Sequence, residues 1–377
     1  MIMTPGPTEV PERVRKALSK PITNPDLDEE FFTFYDGLCS KLKKVLNTNE
    51  DVFILSGEGI LGLEAAVASI VEPEDKVLCI ANGVFGEGFG DFVEMYGGIP
   101  FYLRKEYNEP VTKKDLEDIL SRHPDIKIAT VVHCETPAGL INPIEEICPY
   151  LHERGIITIV DAVSSIGGMK IKTDEWGVDV ILGGSQKCLS APPGLTFLSI
   201  SKRAWKKIEK RKHPIHGYYL NLLLWKEMWK EKRVFPYTQP VSDIYGLNEA
   251  VDTVLEEGEN IYERHRNIAR AVRKTLKEAG FKIYPKEGFE SDTVTAFYVP
   301  SGIEDERFRK HLQEEYKVMI AGSWGKLSGK VWRIGHMGEN AKEEKLFKFF
   351  KEFQKALIDF NWDLKGKNLS EIFAGNI

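Results

Sequence analysis

The chain has 377 residues, of which 42% are hydrophobic and 29% charged, and its formal net charge at pH 7 is −6. These values indicate a globular protein with a sizeable core, and they give no basic field that would favour nucleic acid as a partner. The five cysteines are dispersed, without a Cys-x-x-Cys pair, so we expect a reducing compartment, the cytoplasm, and no structural metal site. Because no apolar run is long enough to cross a bilayer and the N-terminal residues do not resemble a signal peptide, no membrane association is expected.

Strands and helices are predicted to alternate over residues 50–200. A proline-rich segment at 4–11 is expected to be an extended arm, and Phe31–Leu46 has the apolar spacing of a helix. The predicted strands are short and rich in β-branched residues: Val52–Leu55, Lys76–Ile80, Ile99–Leu103, Ile126–His133, Ile156–Val160, Val178–Leu182 and Leu195–Ile200. Amphipathic helical patterns separate them, which predicts a largely parallel sheet covered on both faces.

The C-terminal half begins with an aromatic, irregular segment at 213–246, and segments of this length are usually functional or wrap a partner. A helical pattern then runs from Leu247 to Ala279, with a break expected at Gly258. Three further strands are predicted at Val294–Val299, Lys317–Ile320 and Lys330–Ile334. We therefore divide the chain into an N-terminal arm (1–15), a large domain (16–250) and a small C-terminal α/β domain (251–377).

A glycine-rich turn at residues 56–62 follows the first predicted strand of the sheet. Its Gly-x-Gly-x-x-Gly spacing is typical of dinucleotide sites, so a dinucleotide-dependent dehydrogenase is one alternative. However, the next strand ends without the acid that would bind ribose hydroxyls. Either Gly57 and Gly59 let backbone N–H groups approach an anion at a helix N-terminus, or they simply allow a tight turn.

Lys187 lies between two apolar strands, where its ammonium group is costly to desolvate. Desolvation lowers the pKa of a lysine, and a neutral amine is the form that makes an imine with an aldehyde. The alternative is a lysine at a strand end that reaches solvent. A phosphorylated pyridoxal would also need an acid for its ring nitrogen, an aromatic partner and a group near its hydroxyl. Asp161, Phe85 and Thr136 follow predicted strand ends and meet these needs, although an acid there often caps a helix and a Phe often fills a core.

Several segments together resemble the class V aminotransferases of the type I fold of pyridoxal phosphate enzymes, and in particular alanine–glyoxylate and serine–pyruvate (serine–glyoxylate) aminotransferases. The resemblance covers nearly the whole chain. The segments that carry it include Thr4-Pro5-Gly6-Pro7-Thr8, Ala81-Asn82-Gly83-Val84-Phe85-Gly86, Glu135-Thr136-Pro137-Ala138-Gly139, Val160-Asp161-Ala162, Ser185-Gln186-Lys187, Thr238-Gln239-Pro240-Val241 and Trp332-Arg333-Ile334-Gly335. The implied fold is a mostly parallel seven-stranded sheet sandwiched by helices, with a smaller C-terminal α/β domain.

The same resemblance implies pyridoxal 5'-phosphate as the cofactor and assigns roles to individual residues. Lys187 would form the imine and move the substrate's α-proton, and Asp161 would pair with the pyridinium nitrogen. The implied cofactor-binding positions are Glu58, Gly59, Ile60, Phe85, Thr136, Asp161, Gln186, Lys187 and Thr238, the last reaching across from a second subunit. Arg333 should clamp the substrate carboxylate, with Gly6 also at the substrate.

Two positions depart from the family's pattern. Glu58 stands where a hydroxyl residue is common. Because a carboxylate there would repel phosphate, we expect its side chain to point away and only its N–H to bind. Phe235 stands where a phosphate-bonding Tyr is frequent, so phosphate binding should depend more on Gln186, Thr238 and the backbone.

The expected activity is transfer of an amino group from serine or alanine to pyruvate or glyoxylate by a ping-pong mechanism, with Ser323-Trp324 and His213–Tyr219 as candidates for shaping the pocket. Aspartate or 2-aminoethylphosphonate are alternative donors. A cysteine desulfurase or lyase is an alternative activity, although such enzymes usually have His where Gln186 stands. A non-catalytic binding protein of this fold is an alternative of a different class. The arm, the 213–246 segment and Thr238 together predict a two-fold homodimer with shared active sites.

Overall fold

The computed structural model describes residues 1–377 and contains eleven β-strands and thirteen α-helices. The strands are β1 (Asp51–Ser56), β2 (Lys76–Ala81), β3 (Ile99–Arg104), β4 (Ile128–Val132), β5 (Cys134–Glu135), β6 (Leu140–Ile141), β7 (Ile157–Asp161), β8 (Val180–Gly184), β9 (Leu195–Ile200), β10 (Val294–Tyr298) and β11 (Val331–Gly335). The α-helices are α1 (Glu12–Leu18), α2 (Glu29–Leu46), α3 (Gly59–Ile70), α4 (Val84–Met95), α5 (Lys113–Arg122), α6 (Ile144–Glu153), α7 (Lys202–Glu209), α8 (Leu222–Leu224), α9 (Val241–Glu257), α10 (Asn260–Glu278), α11 (Asp305–Tyr316), α12 (Glu343–Asp359) and α13 (Leu369–Ala374). None of the helices combines the length and the apolar character that crossing a membrane requires.

The central sheet has seven strands in the order β1-β9-β8-β7-β4-β2-β3. Only β9 runs antiparallel to its neighbours, so the predicted mostly parallel seven-stranded sheet is confirmed. Six of its seven strands are buried along almost their whole length, as expected for a sheet with helices on both faces.

The loops that follow five strands of this sheet lie at the same edge. Strands β1, β2, β4, β7 and β8 all run in the same direction, because β9 is antiparallel to both β8 and β1. Their C-terminal ends therefore open at a common edge, which is where parallel sheets usually bind ligands.

The apolar core is divided into two main clusters. The larger one has 70 buried residues between Val14 and Ile261, and the smaller one has 25, mainly between Ile268 and Phe373. The proposed division into a large and a small domain stays a prediction, and its boundary at 250/251 falls inside helix α9. The start of the N-terminal arm packs with the small domain, because Met3 N donates to Met319 O at 2.8 Å and Met3 O accepts from Gly335 N at 2.8 Å.

Two elements differ from the sequence-based expectations. Lys317–Ile320 does not form a strand: Lys317 has a left-handed φ of 56° that ends α11, and the segment then makes only single bridges, Met319 with Ile2 and Ala321 with Arg333. Helix α9 begins at Val241 and not at Leu247, while the break at Gly258 is confirmed.

The segment at 213–246 is also more ordered than predicted. A π-helix spans Trp225–Glu231, and Trp225, Trp229 and Phe235 are buried in the large cluster. Aromatic side chains bury a large apolar area, and this explains how a segment without regular periodicity is anchored.

Candidate active site

A cavity of about 340 Å³ lies at the functional edge of the sheet. Nine of the predicted site residues line it: Gly6, Glu58, Gly59, Ile60, Phe85, Thr136, Asp161, Gln186 and Lys187. The remaining lining residues are Pro7, Leu63, Val163, Ser164 and Trp324. The predictions from strand ends therefore converge on one site.

Lys187 lies on the loop that follows β8, and the N-terminal arm fixes it there. Thr8 N donates to Gln186 O and Thr8 Oγ1 donates to Lys187 O, both at 3.1 Å. The Lys187 ammonium donates to Pro5 O. Burial, together with the positive charge of Arg333, lowers the pKa of Lys187 to about 8. A lysine in this environment readily releases a proton near neutral pH.

Gly6 leaves the space that the Lys187 side chain occupies. Its φ is +105°, and a Cβ added there would lie 2.6 Å from Lys187 Nζ and 2.5 Å from Lys187 Cδ. Any side chain at position 6 would therefore displace the amine. Gly6, in the N-terminal arm, therefore contributes to the site because its backbone lies close to the Lys187 side chain.

Asp161 is the last residue of β7 and faces the same cavity. Its Oδ1 accepts a hydrogen bond from Val163 N at 2.8 Å. Burial raises the pKa of Asp161 to about 6, an effect opposed by the Val163 N–H and by the charge of Lys187. The carboxylate is therefore ionised at neutral pH and can stabilise a protonated ring nitrogen.

Phe85 and Thr136 occupy neighbouring walls. Phe85 is in the first turn of α4, and its ring meets the Trp324 indole edge-on, with centroids 6.1 Å apart. Thr136 Oγ1 is hydrogen-bonded to Ser164 Oγ. Both positions suit an aromatic ligand, one against its face and one at a polar substituent. Of the two segments expected to shape the pocket, Ser323-Trp324 contributes Trp324, whereas His213–Tyr219 does not line this cavity.

Glu135 is a buried acid that the sequence did not single out, and it lies directly behind this wall. Its carboxylate accepts hydrogen bonds from Phe85 N at 3.2 Å and Gly86 N at 2.6 Å. Burial raises the pKa of Glu135 to about 8, although these two N–H groups favour the ionised form. The signal available in the sequence is an acid within an otherwise uncharged segment, 128–144, which no periodic pattern requires.

Glu58 does not point away from the turn, contrary to expectation. Its carboxylate caps helix α3, where Oε1 accepts from Ile60 N at 3.1 Å and Oε2 accepts from Gln186 Nε2 at 3.3 Å. The physical reason is that the first N–H groups of a helix have no intrahelical partner and favour negative charge. The predicted phosphate cradle is therefore bonded to a carboxylate of the chain itself.

Arg333 lies behind the cavity wall and is only 3% exposed. Its Nε donates to Gly322 O at 2.7 Å, and its guanidinium carbon lies 5.0 Å from the centre of the Trp324 ring. Burial lowers the pKa of Arg333 to about 10, so it stays charged at neutral pH. Trp324, which lines the cavity, thus packs against the predicted carboxylate clamp.

Thr238 is not brought to the cavity of its own chain. It is exposed, donates to Asp26 Oδ2 at 3.3 Å, and borders a separate open cavity formed by residues 22–26 and 238–243. A role in a second subunit's site therefore stays a prediction.

Phe235 is stacked on Trp229 with centroids 4.2 Å apart, so it contributes to the core and to no anion site.

The residues of the cavity suit the ring of pyridoxal 5'-phosphate better than they suit its phosphate group. Lys187, Asp161, Phe85 and Thr136 offer the groups its aldehyde, nitrogen, ring face and hydroxyl require. At the other end the N–H groups of α3 and Nε2 of Gln186, which here donate to the Glu58 carboxylate, would hold the phosphate. Because the Glu58 side chain is exposed, it can rotate to release those N–H groups.

Comparison with known proteins places this geometry in a family. Residues 4–343 match the family model described as aminotransferase class-V. An uncharacterized aminotransferase of Methanocaldococcus jannaschii is 40% identical over 92% of this chain and 90% of its own length. A pyridoxamine–pyruvate transaminase of Mesorhizobium japonicum is 36% identical over 90% of this chain and 87% of its own length.

A solved structure agrees with these sequence matches. The crystal structure of ureidoglycine–glyoxylate aminotransferase from Bacillus subtilis superposes with a TM-score of 0.95 at 32% identity, covering 99% of this chain and 97% of that one. The chain therefore belongs to the class V aminotransferases, whose cofactor is pyridoxal 5'-phosphate.

Proposed function

We propose that the protein transfers an amino group from a small amino acid, serine or alanine, to pyruvate or glyoxylate by a ping-pong mechanism. The observation that carries this proposal is the convergence of Lys187 and Asp161 in one cavity, with Arg333 buried behind its wall. These three residues supply an amine, an anion and a carboxylate clamp. The relatives named for pyruvate and glyoxylate support the choice of acceptors.

Lys187 performs the proton transfer in this proposal. Its lowered pKa, about 8, leaves part of the population neutral at pH 7, so Nζ can take the proton from the substrate's Cα and then donate it to the cofactor. Pyridoxal 5'-phosphate, when bound, supplies an aldehyde that carries the amino group and a ring that accepts the electron pair of the broken bond. Asp161 favours that acceptance by keeping negative charge at the end of β7.

The position of Arg333 and the aromatic side chains of Phe85 and Trp324 favour donors with one carboxylate and a small side chain. Apart from Lys187, no cationic side chain lines the cavity, and Arg333 stands behind it. A second carboxylate or a phosphonate on the donor would have no counter-charge within the chain. Aspartate and 2-aminoethylphosphonate are therefore disfavoured as donors unless a second subunit supplies a cation.

Two further activities suggested by the sequence are not favoured by this site. The Gly-x-Gly-x-x-Gly turn belongs to a chain of the class V aminotransferases, so a dinucleotide enzyme is not favoured. A desulfurase needs a mobile nucleophilic Cys, but Cys188 is buried and burial raises its pKa above the usual range.

A homodimer with shared sites is part of the proposal. Four large apolar side chains near the chain turns at 22–27 and 218–219 are exposed: Ile22, Leu27, Tyr218 and Tyr219, with exposures of 71%, 80%, 55% and 49%. Exposed apolar side chains in this number favour an association surface. We infer that Thr238, which lines the same open cavity as Ile22, serves the neighbouring site. Sedimentation that gives a monomer at micromolar concentration would contradict this.

The five free, buried cysteines support the cytoplasm as the protein's compartment.

The test of the main proposal is a screen of donors against acceptors. Purified protein with pyridoxal 5'-phosphate should convert serine or alanine with pyruvate or glyoxylate, and the bound cofactor should make it yellow. Lys187→Ala serves as the control, since it keeps the cavity but loses the amine. A colourless protein, or one inactive with every donor and acceptor pair, would reject the proposal.

A second candidate function is favoured by Glu58. Its carboxylate bonds to Ile60 N, where a phosphate would bind, and like charges about 4 Å apart repel by about 1 to 4 kcal/mol depending on their exposure. A carboxylate at this point accepts a hydrogen bond from an alcohol without such repulsion. One relative is named for pyridoxamine, a ring of the same kind without phosphate. We therefore propose unphosphorylated pyridoxamine as an alternative amino donor, with pyruvate as acceptor.

Two measurements separate the candidates. Incubation with pyridoxamine and pyruvate should yield pyridoxal and alanine if the second candidate is right. Glu58→Gln keeps the size and the capping oxygen but removes the charge, so it should bind pyridoxal 5'-phosphate at least about tenfold more tightly than the wild type. If wild type forms no pyridoxal and Glu58→Gln binds the phosphate form no better, the second candidate fails while the first stands.

A further inference from the structure

We propose that Glu135 is a positioning residue, whose buried carboxyl group sets the position of the Phe85 ring against the cofactor. This inference rests on the proposed function, because it takes Phe85 to be the aromatic partner of the cofactor ring. It concerns a residue that touches neither cofactor nor substrate and acts through the backbone of α4.

The contacts of Glu135 are directed at one turn of helix. The side chain is fully buried, and its two oxygens accept from Phe85 N at 3.2 Å and from Gly86 N at 2.6 Å. The charged groups that act on this carboxyl, Asp161 and Glu87, are acidic. A buried acid without a cation is costly, so its place depends on those two N–H groups and on the end of the helix.

Gly83 makes room for this carboxylate, whereas Gly86 makes room mainly for the Ile80 carbonyl. A Cβ on Gly83 would lie 2.1 Å from Glu135 Cδ, and a Cβ on Gly86 would lie 3.1 Å from Oε1 and 2.3 Å from Ile80 O. Gly83 has a φ of −173°, which any residue adopts, so space and not backbone conformation explains the glycine. The glycine at position 83 therefore leaves the space that the Glu135 side chain occupies.

Glu135 also links two walls of the cavity. Helix α4 receives no cap from Gly83, the residue at its own N-cap, and its first turn is instead capped from β5, a separation of 50 residues between Phe85 and Glu135. The residue after Glu135 is Thr136, which lines the same cavity. One buried side chain thus holds the loop after β2 against the loop after β4, and fixes how far Phe85 stands from Thr136.

The experiment compares Glu135→Gln with Glu304→Gln in the full-length protein. Glu304 accepts from Glu306 N at 3.0 Å and Arg307 N at 2.6 Å at the start of α11, so it makes the same pair of backbone bonds away from the cavity. The amide of Glu135→Gln keeps one acceptor and loses the other. We expect a dissociation constant for pyridoxal 5'-phosphate about tenfold higher in Glu135→Gln, and an altered visible circular dichroism of the bound cofactor. Glu304→Gln should match the wild type in both.

A double-mutant cycle with Phe85→Ala tests whether Glu135 acts through that ring. In the Phe85→Ala background, Glu135→Gln should change the dissociation constant by less than about twofold. Equal effects in both backgrounds, or wild-type affinity and dichroism in Glu135→Gln, would overturn the inference. Wild-type protein that binds no pyridoxal 5'-phosphate would instead reject the proposed function, so the two failures are distinct.

Discussion

Gly6 is the position where a single added carbon should disturb Lys187 most directly. With a Cβ at 2.6 Å, the amine must move about 0.8 Å to regain an ordinary contact of 3.4 Å. A displacement on the order of 1 Å in a reacting group costs up to about a hundredfold in rate. Gly6→Ala should therefore slow half-transamination with alanine or serine by roughly tenfold to a hundredfold, at saturating cofactor.

Gly302→Ala provides the matched control for backbone strain. Gly302 has a φ of +88°, and a Cβ there would meet nothing within 4 Å. Both variants should lose stability through strain of about 1 to 3 kcal/mol, measured by denaturant unfolding. Only Gly6→Ala should lose rate in a stopped-flow measurement of the cofactor's absorbance. If Gly6→Ala keeps the wild-type rate, Gly6 does not set the position of Lys187.

Three further predictions concern charge and access. Asp161→Asn should still bind the cofactor but lower kcat at least about a hundredfold, and an unchanged kcat would exclude its role at the ring nitrogen. Trp324→Ala removes the indole that packs against Arg333 and widens the cavity, so kcat/KM for donors larger than alanine should rise relative to alanine; an unchanged donor profile would show that the indole does not limit them. Burial lowers the pKa of His265 to about 4, below its usual 6.5, so the folded state disfavours the proton that the unfolded chain binds. The protein should therefore lose stability as the pH falls below 6.5. In urea unfolding, His265→Gln should lose about 1.5 kcal/mol less free energy of unfolding than the wild type between pH 6.5 and 5. Equal losses in the two proteins would contradict the prediction.

The sequence is most informative where function follows from strand direction. Asp161 and Lys187 could be predicted because short buried strands end beside them, and parallel strands bring their ends to one edge. The same reasoning predicts the sheet, since its strands are apolar throughout. The predicted strand Lys317–Ile320 is wrong because a short apolar run is also compatible with an extended segment that makes only single bridges.

Features that depend on competition between distant groups could not be read from the sequence. The Glu58 carboxylate was expected to point away from the predicted phosphate site, but it turns toward the unpaired N–H groups at the start of α3. Glu135 caps a helix that begins far earlier in the chain, and Trp324 packs against Arg333 from another loop. These are contacts between segments, and no local spacing encodes them.

The central claim is that Lys187 carries the pyridoxal group, and trapping tests it most directly. Protein incubated with pyridoxal 5'-phosphate is reduced with borohydride, digested and mapped by mass spectrometry. We expect one modified peptide with the added mass on Lys187, and none in Lys187→Ala. Modification of a different lysine in the wild type, or equal labelling of Lys187→Ala, would contradict the claim.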